Sequence, residues 1–162
     1  MNSYFARTRN PGATEGDTSY DAKFDYTADL YGAQFEHLFV GPNFSPEVGF
    51  LRRQDFRRSF GSLRFSPRPA RDHLKAIRKF TYQVSAASIE NSRHRVESQD
   101  LTGQFAVEFQ NGDRFSTQLN HSFEYLPRPF AIAAGVTLPV AEYAFNDVQA
   151  SFTFTQQRRL SG

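Results

Sequence analysis

The chain has 162 residues and no Cys, which favours a single domain and excludes both a disulfide framework and a Cys-based metal site. Its 18 Phe and 7 Tyr residues are too many for a disordered chain, yet no stretch approaches the roughly 20 consecutive apolar residues of a membrane-spanning helix. The net charge of +2 is too small to indicate a nucleic-acid partner, so we predict none.

Apolar residues alternate with polar ones along most of the chain, which is the pattern of β-strands with two different faces. The clearest run spans thirteen residues, 18–30, whereas a globular strand usually has about 5–6. The alternation predicts about eight antiparallel strands and therefore an all-β fold. They are expected at 3–9, 18–30, 33–40, 54–66, 77–89, 101–109, 114–125 and 148–155.

The connection at 110–112 is predicted from the requirement that paired strands keep their apolar faces on the same side of the sheet. A two-residue loop would place the apolar faces of its flanking strands on opposite sides. A three-residue loop with Gly112 in a left-handed conformation restores agreement and pairs Val107 with Phe115.

Two other local features follow from the same requirement. Between the second and third strands the loop must contain an even number of residues. We predict a two-residue turn at 31–32 that pairs Leu30 with Ala33. In the fourth strand the apolar residues change face, and a β-bulge near Gly61 would reconcile them.

Long connections alternate with shorter ones, as in an outer-membrane β-barrel, where long loops lie at one rim and short turns at the other. Several strands also reach the roughly 9–11 residues of a membrane-spanning strand. The apolar face is made of Phe, Tyr and Ala, whereas a soluble β-sandwich would need branched aliphatic residues in its core. His121 opposes the barrel interpretation, because it falls in the middle of an apolar face. The long connections are predicted at 10–17, 41–53, 90–98 and 127–141, and the shorter ones at 31–32, 67–75 and 110–112.

We therefore predict an antiparallel up-and-down transmembrane β-barrel, with residues 1–162 forming one barrel region. The alternative is a soluble β-sandwich that acts as a binding module without a role in the membrane.

The most distinctive stretch of the chain is GPNFSPEVGFLRR at 41–53. It resembles a motif, Asn-Phe-Asn-Pro-Glu-Val-Gly-Phe followed by paired Arg residues, in a family of uncharacterised bacterial proteins. Those proteins combine an N-terminal carbohydrate-binding domain of the family-9 type with a long outer-membrane β-barrel. Residues 2–8, 109–113 and 138–143 fit as well, whereas Ser45 departs from the Asn that the family tends to have.

This resemblance implies a location in the bacterial outer membrane, with its lipid bilayer as partner. The match is to an interior part of the barrel region, so we expect an incomplete fragment of a larger barrel with open edge strands. The carbohydrate-binding domain has no counterpart here. The resemblance implies uptake or binding of a solute, by analogy carbohydrate, or membrane anchoring of that domain.

The chain lacks the sequence signatures of catalytic, cofactor-binding and metal sites, so we predict neither an enzyme nor a cofactor. Instead, the connection at 41–53 is predicted to fold inward as a structural or constriction loop, with Glu47 paired to a nearby Arg. Its candidate residues are Asn43, Phe44, Pro46, Glu47, Gly49, Phe50, Arg52 and Arg53. The charges expected to face the barrel lumen are Asp21, Lys23, Asp25, Asp29, Arg57 and Arg64.

Basic residues are concentrated between Arg52 and Lys79, where ten Lys and Arg stand against two Asp. A nucleic-acid surface would need a recognisable binding module, and none is found in the sequence. A second interpretation is a surface for anionic lipid headgroups at 67–75, formed by Arg68, Arg71 and Lys75.

Overall fold

The structure is a computed structural model that describes residues 1–8, 18–45, 54–70, 74–133 and 135–155. These residues form strands and connections, and none of their segments is a helix that could cross a bilayer. The strands are β1 Asn2–Arg7, β2 Thr18–Thr27, β3 Tyr31–Val40, β4 Phe56–Phe65, β5 Ile77–Asn91, β6 Val96–Phe109, β7 Arg114–Leu126, β8 Phe130–Ala133, β9 Val136–Leu138 and β10 Ala141–Thr153.

Eight of the strands form one antiparallel sheet in the order β1-β2-β3-β4-β5-β6-β7-β10. The remaining two, β8 and β9, form a small hairpin in the connection between β7 and β10. The predicted all-β, up-and-down architecture is thus confirmed. The sheet is not closed: within the described ranges β1 and β10 are its edges, and no ladder joins them.

The sheet is a single layer in the described part of the chain. Extensive contacts between strands are confined to neighbours in the sheet or hairpin. Among the described residues only Val40, Phe44, Ala106 and Val107 are buried apolar side chains. The packed core between two sheets that a β-sandwich requires is therefore not found in these residues.

The turn between β6 and β7 has the predicted geometry. Val107 pairs with Phe115, and the register continues to Glu108 and Arg114. Gly112 has a φ of +86°, and its N–H donates to the carbonyl of Phe109 over 3.0 Å. The requirement that paired strands keep their apolar faces on the same side of the sheet, together with the left-handed conformation of Gly112, was therefore sufficient to predict this loop.

The turn between β2 and β3 lies two residues earlier than predicted. The Ala28 N–H donates to the Tyr31 carbonyl over 2.9 Å, so residues 29–30 form the loop. Tyr26 pairs with Ala33, and the predicted pairing of Leu30 with Ala33 is wrong. A two-residue turn at 31–32 and one at 29–30 both keep the apolar faces of β2 and β3 on the same side of the sheet. This requirement alone therefore could not decide between them.

The predicted bulge near Gly61 is also wrong, because β4 keeps a regular register with both β3 and β5. A Cβ added at Gly61 would lie 3.6 Å from the ring of Phe35, an ordinary van der Waals distance, so the fold does not require Gly at this position. Register shifts between β5 and β6 occur instead next to Ile77, where Arg78 is the extra residue of β5, and next to Ile89, where Glu97 is the extra residue of β6. The connection between β5 and β6 comprises only 92–95, shorter than predicted.

Replacing Gly112 by Ala should destabilise the sheet by about 1–2 kcal/mol, because a residue with Cβ is strained at positive φ. The new methyl group would also lie 3.1 Å from Thr155 Oγ1. Urea unfolding followed by far-UV circular dichroism measures the effect. The matched control is Gly103→Ala, whose Cβ would meet no atom within 4 Å and whose stability should change by less than about 0.5 kcal/mol. Equal effects of the two variants would contradict the turn assignment.

Candidate functional site

The candidate site is the sheet itself, whose two faces differ in chemistry because successive side chains point to opposite sides. We call them the apolar face and the polar face, and the registers assign each residue to one of them. The apolar face includes Tyr20, Phe24, Tyr26, Phe35, Leu63, Phe65, Tyr82, Val84, Leu101, Phe105, Leu119 and Val148. The polar face includes Asp21, Lys23, Asp25, Gln34, Glu36, Ser62, Arg64, Gln83, Ser85, Thr102, Gln104, Gln118, Asn120, Asp147 and Gln149.

The apolar face is the more exposed of the two. Leu63 is 52% exposed, whereas its neighbour Ser62 on the polar face is 6% exposed. In β5, Tyr82 and Val84 are exposed, and Gln83 between them is half-buried. This is the reverse of a soluble protein, in which the apolar side of a sheet is covered and the polar side meets water.

Aromatic rings form two rows across the apolar face. One row runs near the shorter connections through Tyr31, Phe65, Tyr82 and Phe105, with successive ring centroids 5.3, 6.3 and 5.1 Å apart. The other, near the opposite rim, is the pair Tyr20 and Phe39, 5.3 Å apart, and a further pair, Phe24 and Phe35, lies between the two with centroids 6.2 Å apart.

The spacing of the two rows follows from strand geometry. Along β3, Tyr31 and Phe39 are separated by about 27 Å at about 3.4 Å per residue.

Polar side chains on the apolar face are paired with one another. His121 Nδ1 lies 2.7 Å from Asn146 Oδ1, and His37 Nδ1 lies 2.9 Å from Ser59 Oγ. Pairing reduces the cost of placing these groups among apolar side chains. His121 is therefore compatible with an apolar surface, although it was the residue that opposed the barrel interpretation.

The polar face carries a band of uncharged amides and hydroxyls across its middle. Gln83, Gln104, Gln118 and Gln149 lie directly opposite one another on four neighbouring strands. In the next row, Asn120 accepts hydrogen bonds from Thr102 over 3.0 Å and from Gln118 over 2.8 Å, and donates to Asp147 over 2.7 Å. This amide band could not be predicted from the sequence, because the strand registers decide which residues lie opposite one another.

Of the four predicted lumen charges that lie on the polar face, three belong to β2: Asp21, Lys23 and Asp25. Lys23 Nζ is 3.3 Å from Asp21 and 3.6 Å from Glu36, and Glu36 is 3.1 Å from Arg58. Asp25 accepts a hydrogen bond of 2.6 Å from Gln34. These charges are therefore compensated by groups on the same face.

Asp29 and Arg64 are placed in structural contacts. Asp29 lies in the turn between β2 and β3 and forms a 2.8 Å ion pair with Arg68. Arg64 lies on the polar face, but its guanidinium donates to the carbonyl of Ala28 over 2.6 Å and to Ser66 Oγ over 2.7 Å. Its charge is thus used to hold the turn.

Arg57 lies on the apolar face, opposite to Arg64, contrary to the expectation that both line a lumen. The regular register of β4 is the reason, because residues seven positions apart in an unbroken strand point to opposite sides. The Arg57 guanidinium lies 5.6 Å from the centroid of the Phe39 ring and 3.2 Å from His94 Nδ1.

The predicted constriction loop is described only in part. Phe44 is buried at 7% exposure, as predicted, and its carbonyl accepts a 3.0 Å hydrogen bond from Gln54 Nε2. Asn43 is exposed. The other predicted residues, and with them the contact between Glu47 and an Arg, lie outside the described residues: Pro46, Glu47, Gly49, Phe50, Arg52 and Arg53.

No group of three His, Asp or Glu side chains that could hold a metal ion occurs in the described segments. No family model matches the chain, and neither a curated protein nor a solved structure matches it. The resemblance noted in the sequence therefore rests on the quoted residues alone.

Replacing Arg64 by Lys should loosen the turn between β2 and β3, because an ammonium group cannot reproduce the planar fork of a guanidinium. We expect the Ala28 amide to exchange its hydrogen about tenfold faster, the effect of losing one hydrogen bond to a charged group. Hydrogen exchange measured by mass spectrometry or NMR tests this. Arg114→Lys is the control, since Arg114 makes no ion pair or hydrogen bond in the described structure. Unchanged exchange in Arg64→Lys would contradict the role assigned to Arg64.

Proposed function

We propose that the chain forms part of the wall of an outer-membrane β-barrel that takes up or binds a solute. In this arrangement the apolar face contacts lipid and the polar face lines a water-filled lumen. The observation that carries the proposal is the inverted exposure of the two faces, illustrated by Leu63 and Ser62. Large apolar side chains left uncovered over a whole face indicate a surface that meets an apolar environment.

The backbone is compatible with a bilayer, because a membrane-spanning sheet must satisfy its N–H and C=O groups between strands. β2 to β7 are paired on both sides, and they have 10 to 15 residues each, enough to cross the hydrocarbon region. β1 and β10 each have one unpaired edge in the described sheet. The proposal requires that these edges pair with each other or with further strands in the membrane.

The chemistry of the polar face supports a solute-conducting or solute-binding wall. Its amide band offers hydrogen-bond donors and acceptors without net charge, which suits neutral polar solutes such as carbohydrates. Anchoring of a carbohydrate-binding domain is the second function implied by the resemblance. The anchoring function is supported by the resemblance alone, whereas the amide band supports uptake or binding of a solute.

The first test uses two single-Trp variants, because the native chain contains no Trp. Phe24, on the apolar face, is 43% exposed, and Phe145, on the polar face, is 56% exposed, so neither ring is shielded by the protein itself. In reconstituted bilayers, lipids with brominated acyl chains should quench the fluorescence of Phe24→Trp, and aqueous iodide should quench that of Phe145→Trp.

Quenching of both variants by iodide, with no effect of the brominated lipids, would contradict the membrane assignment and favour the soluble alternative. Quenching of Phe145→Trp by brominated lipid, together with quenching of Phe24→Trp by iodide, would mean that the two faces have been assigned the wrong way round.

The second test concerns the lumen. If Gln104 lines a conducting pathway, Gln104→Glu should make the conductance of the reconstituted protein more cation-selective and Gln104→Lys more anion-selective, because ionised side chains in a pore set its selectivity. The reversal potential in planar bilayers under a salt gradient measures both changes. Val148→Glu, on the apolar face, is the control for a charge outside the pathway. The absence of any conductance would favour the anchoring function.

A further inference from the structure

The apolar face carries an open groove of about 660 Å³ that crosses the sheet from β2 to β7. Its rim toward the shorter connections is formed by the aromatic row with Phe65 and Tyr82, and its opposite side is aliphatic, with Leu63 and Leu119. Gly103 helps to form the floor, because a Cβ added there would meet no atom within 4 Å. A small residue among large ones thus creates the depression.

Basic side chains lie at the same end of the sheet as the aromatic row. Lys75 belongs to the connection between β4 and β5, and Arg78 lies at the register shift near the start of β5. Both are exposed, and neither has a hydrogen bond or ion pair within the described part of the molecule. Arg68, in the same connection, is already paired with Asp29.

The backbone fixes this connection close to the groove. The Phe80 N–H donates to the carbonyl of Pro67 over 3.0 Å, and the Phe80 ring lies 6.1 Å from that of Phe105, which lines the groove. Arg78 precedes Phe80 by two residues, about 7 Å of extended chain. Tyr82, which lines the groove, is four residues from Arg78, about 13 Å of extended chain. The two cations therefore lie beyond the aromatic end of the groove, on the side of the shorter connections.

We propose that this groove binds one anionic phospholipid, with an acyl chain along the apolar groove and the phosphate near Lys75 and Arg78. The inference rests on the proposed function, since a lipid reaches the groove only if the apolar face meets a bilayer. An acyl chain needs an apolar, open-sided surface, and basic residues near the membrane surface favour anionic over zwitterionic headgroups. Tyr31 and Tyr82 suit the interfacial level, where Tyr is enriched.

The combination of groove and cations distinguishes this site from the rest of the apolar face. A second depression of about 440 Å³ lies between β5 and β10. It is lined by His121 and Asn146, which are hydrogen-bonded to each other, and it lies farther along the strands from Lys75 and Arg78 than the groove does. It therefore lacks the charge that would select an anionic headgroup.

The test places a single Trp in the groove with Phe65→Trp and uses Phe24→Trp, on the same face but outside the groove, as the matched control. Each variant is reconstituted in phosphatidylcholine bilayers that contain a minor fraction of phosphatidylglycerol, with bromine on the acyl chains of one lipid at a time. At Phe65→Trp, quenching should indicate about a fivefold enrichment of phosphatidylglycerol over its bulk fraction, as expected from one basic side chain at the membrane surface. At Phe24→Trp, quenching should indicate that the fraction of phosphatidylglycerol near the ring equals its bulk fraction.

Two second-site changes in the Phe65→Trp background test the two parts of the site. Gly103→Leu should fill the groove and remove the enrichment. Lys75→Gln combined with Arg78→Gln should remove the preference for phosphatidylglycerol while total quenching by lipid persists. If Gly103→Leu does not fold, the charge variant decides.

The outcomes separate this inference from the proposed function. Lipid quenching at both positions in proportion to the bulk composition would overturn the phospholipid site and leave the membrane assignment intact. No lipid quenching at either position would overturn both. Enrichment that survives the loss of Lys75 and Arg78 would overturn the assignment of these cations to the headgroup.

Discussion

Cross-strand backbone hydrogen bonds hold this molecule together, and the rest of the structure depends on them. The described residues form one sheet without a second layer, so hydrophobic burial contributes little to the fold. In water each such bond competes with solvent and contributes only about 0.5–1.5 kcal/mol. In a bilayer the competing water is absent, and an unmade backbone bond becomes costly. The bilayer that we propose for the apolar face would therefore also be the surroundings in which these backbone hydrogen bonds are strongest.

The two faces of the sheet use charge differently. On the polar face the ionised groups are compensated close by, as Lys23 is by Asp21 and Glu36. Arg64 is held by backbone carbonyls and a hydroxyl. What the middle of this face offers a solute is therefore hydrogen bonding from neutral amides. Within the described residues, the side chains of Lys75 and Arg78, near the shorter connections, have no such partner, and these are the cations that we propose for a headgroup.

Much of the fold could be predicted from the sequence, because the side-chain period of a strand is directly visible as alternation. The loop at 110–112 followed from parity alone. The turn at 29–30 did not, because parity allows two positions and Arg64, far away in the chain, binds the carbonyls of this one. The amide band was hidden for a similar reason: Gln83 and Gln149 share a row only through the registers of the strands between them. The greater exposure of the apolar face could not be predicted either, because it depends on how the strands assemble into one sheet.

The up-and-down order of the strands also determines how such a sheet can assemble. Each strand from β2 to β7 pairs with the one that precedes it in the chain, and β10 joins β7 after the small hairpin. Most pairings therefore join strands that are consecutive in the chain, and the entropy lost in closing each loop is modest. Folding can proceed by adding one strand at a time, with no collapsed core as an intermediate. If the sheet enters a bilayer as we propose, every added strand places its rings in lipid as it pairs, so folding and insertion become one process.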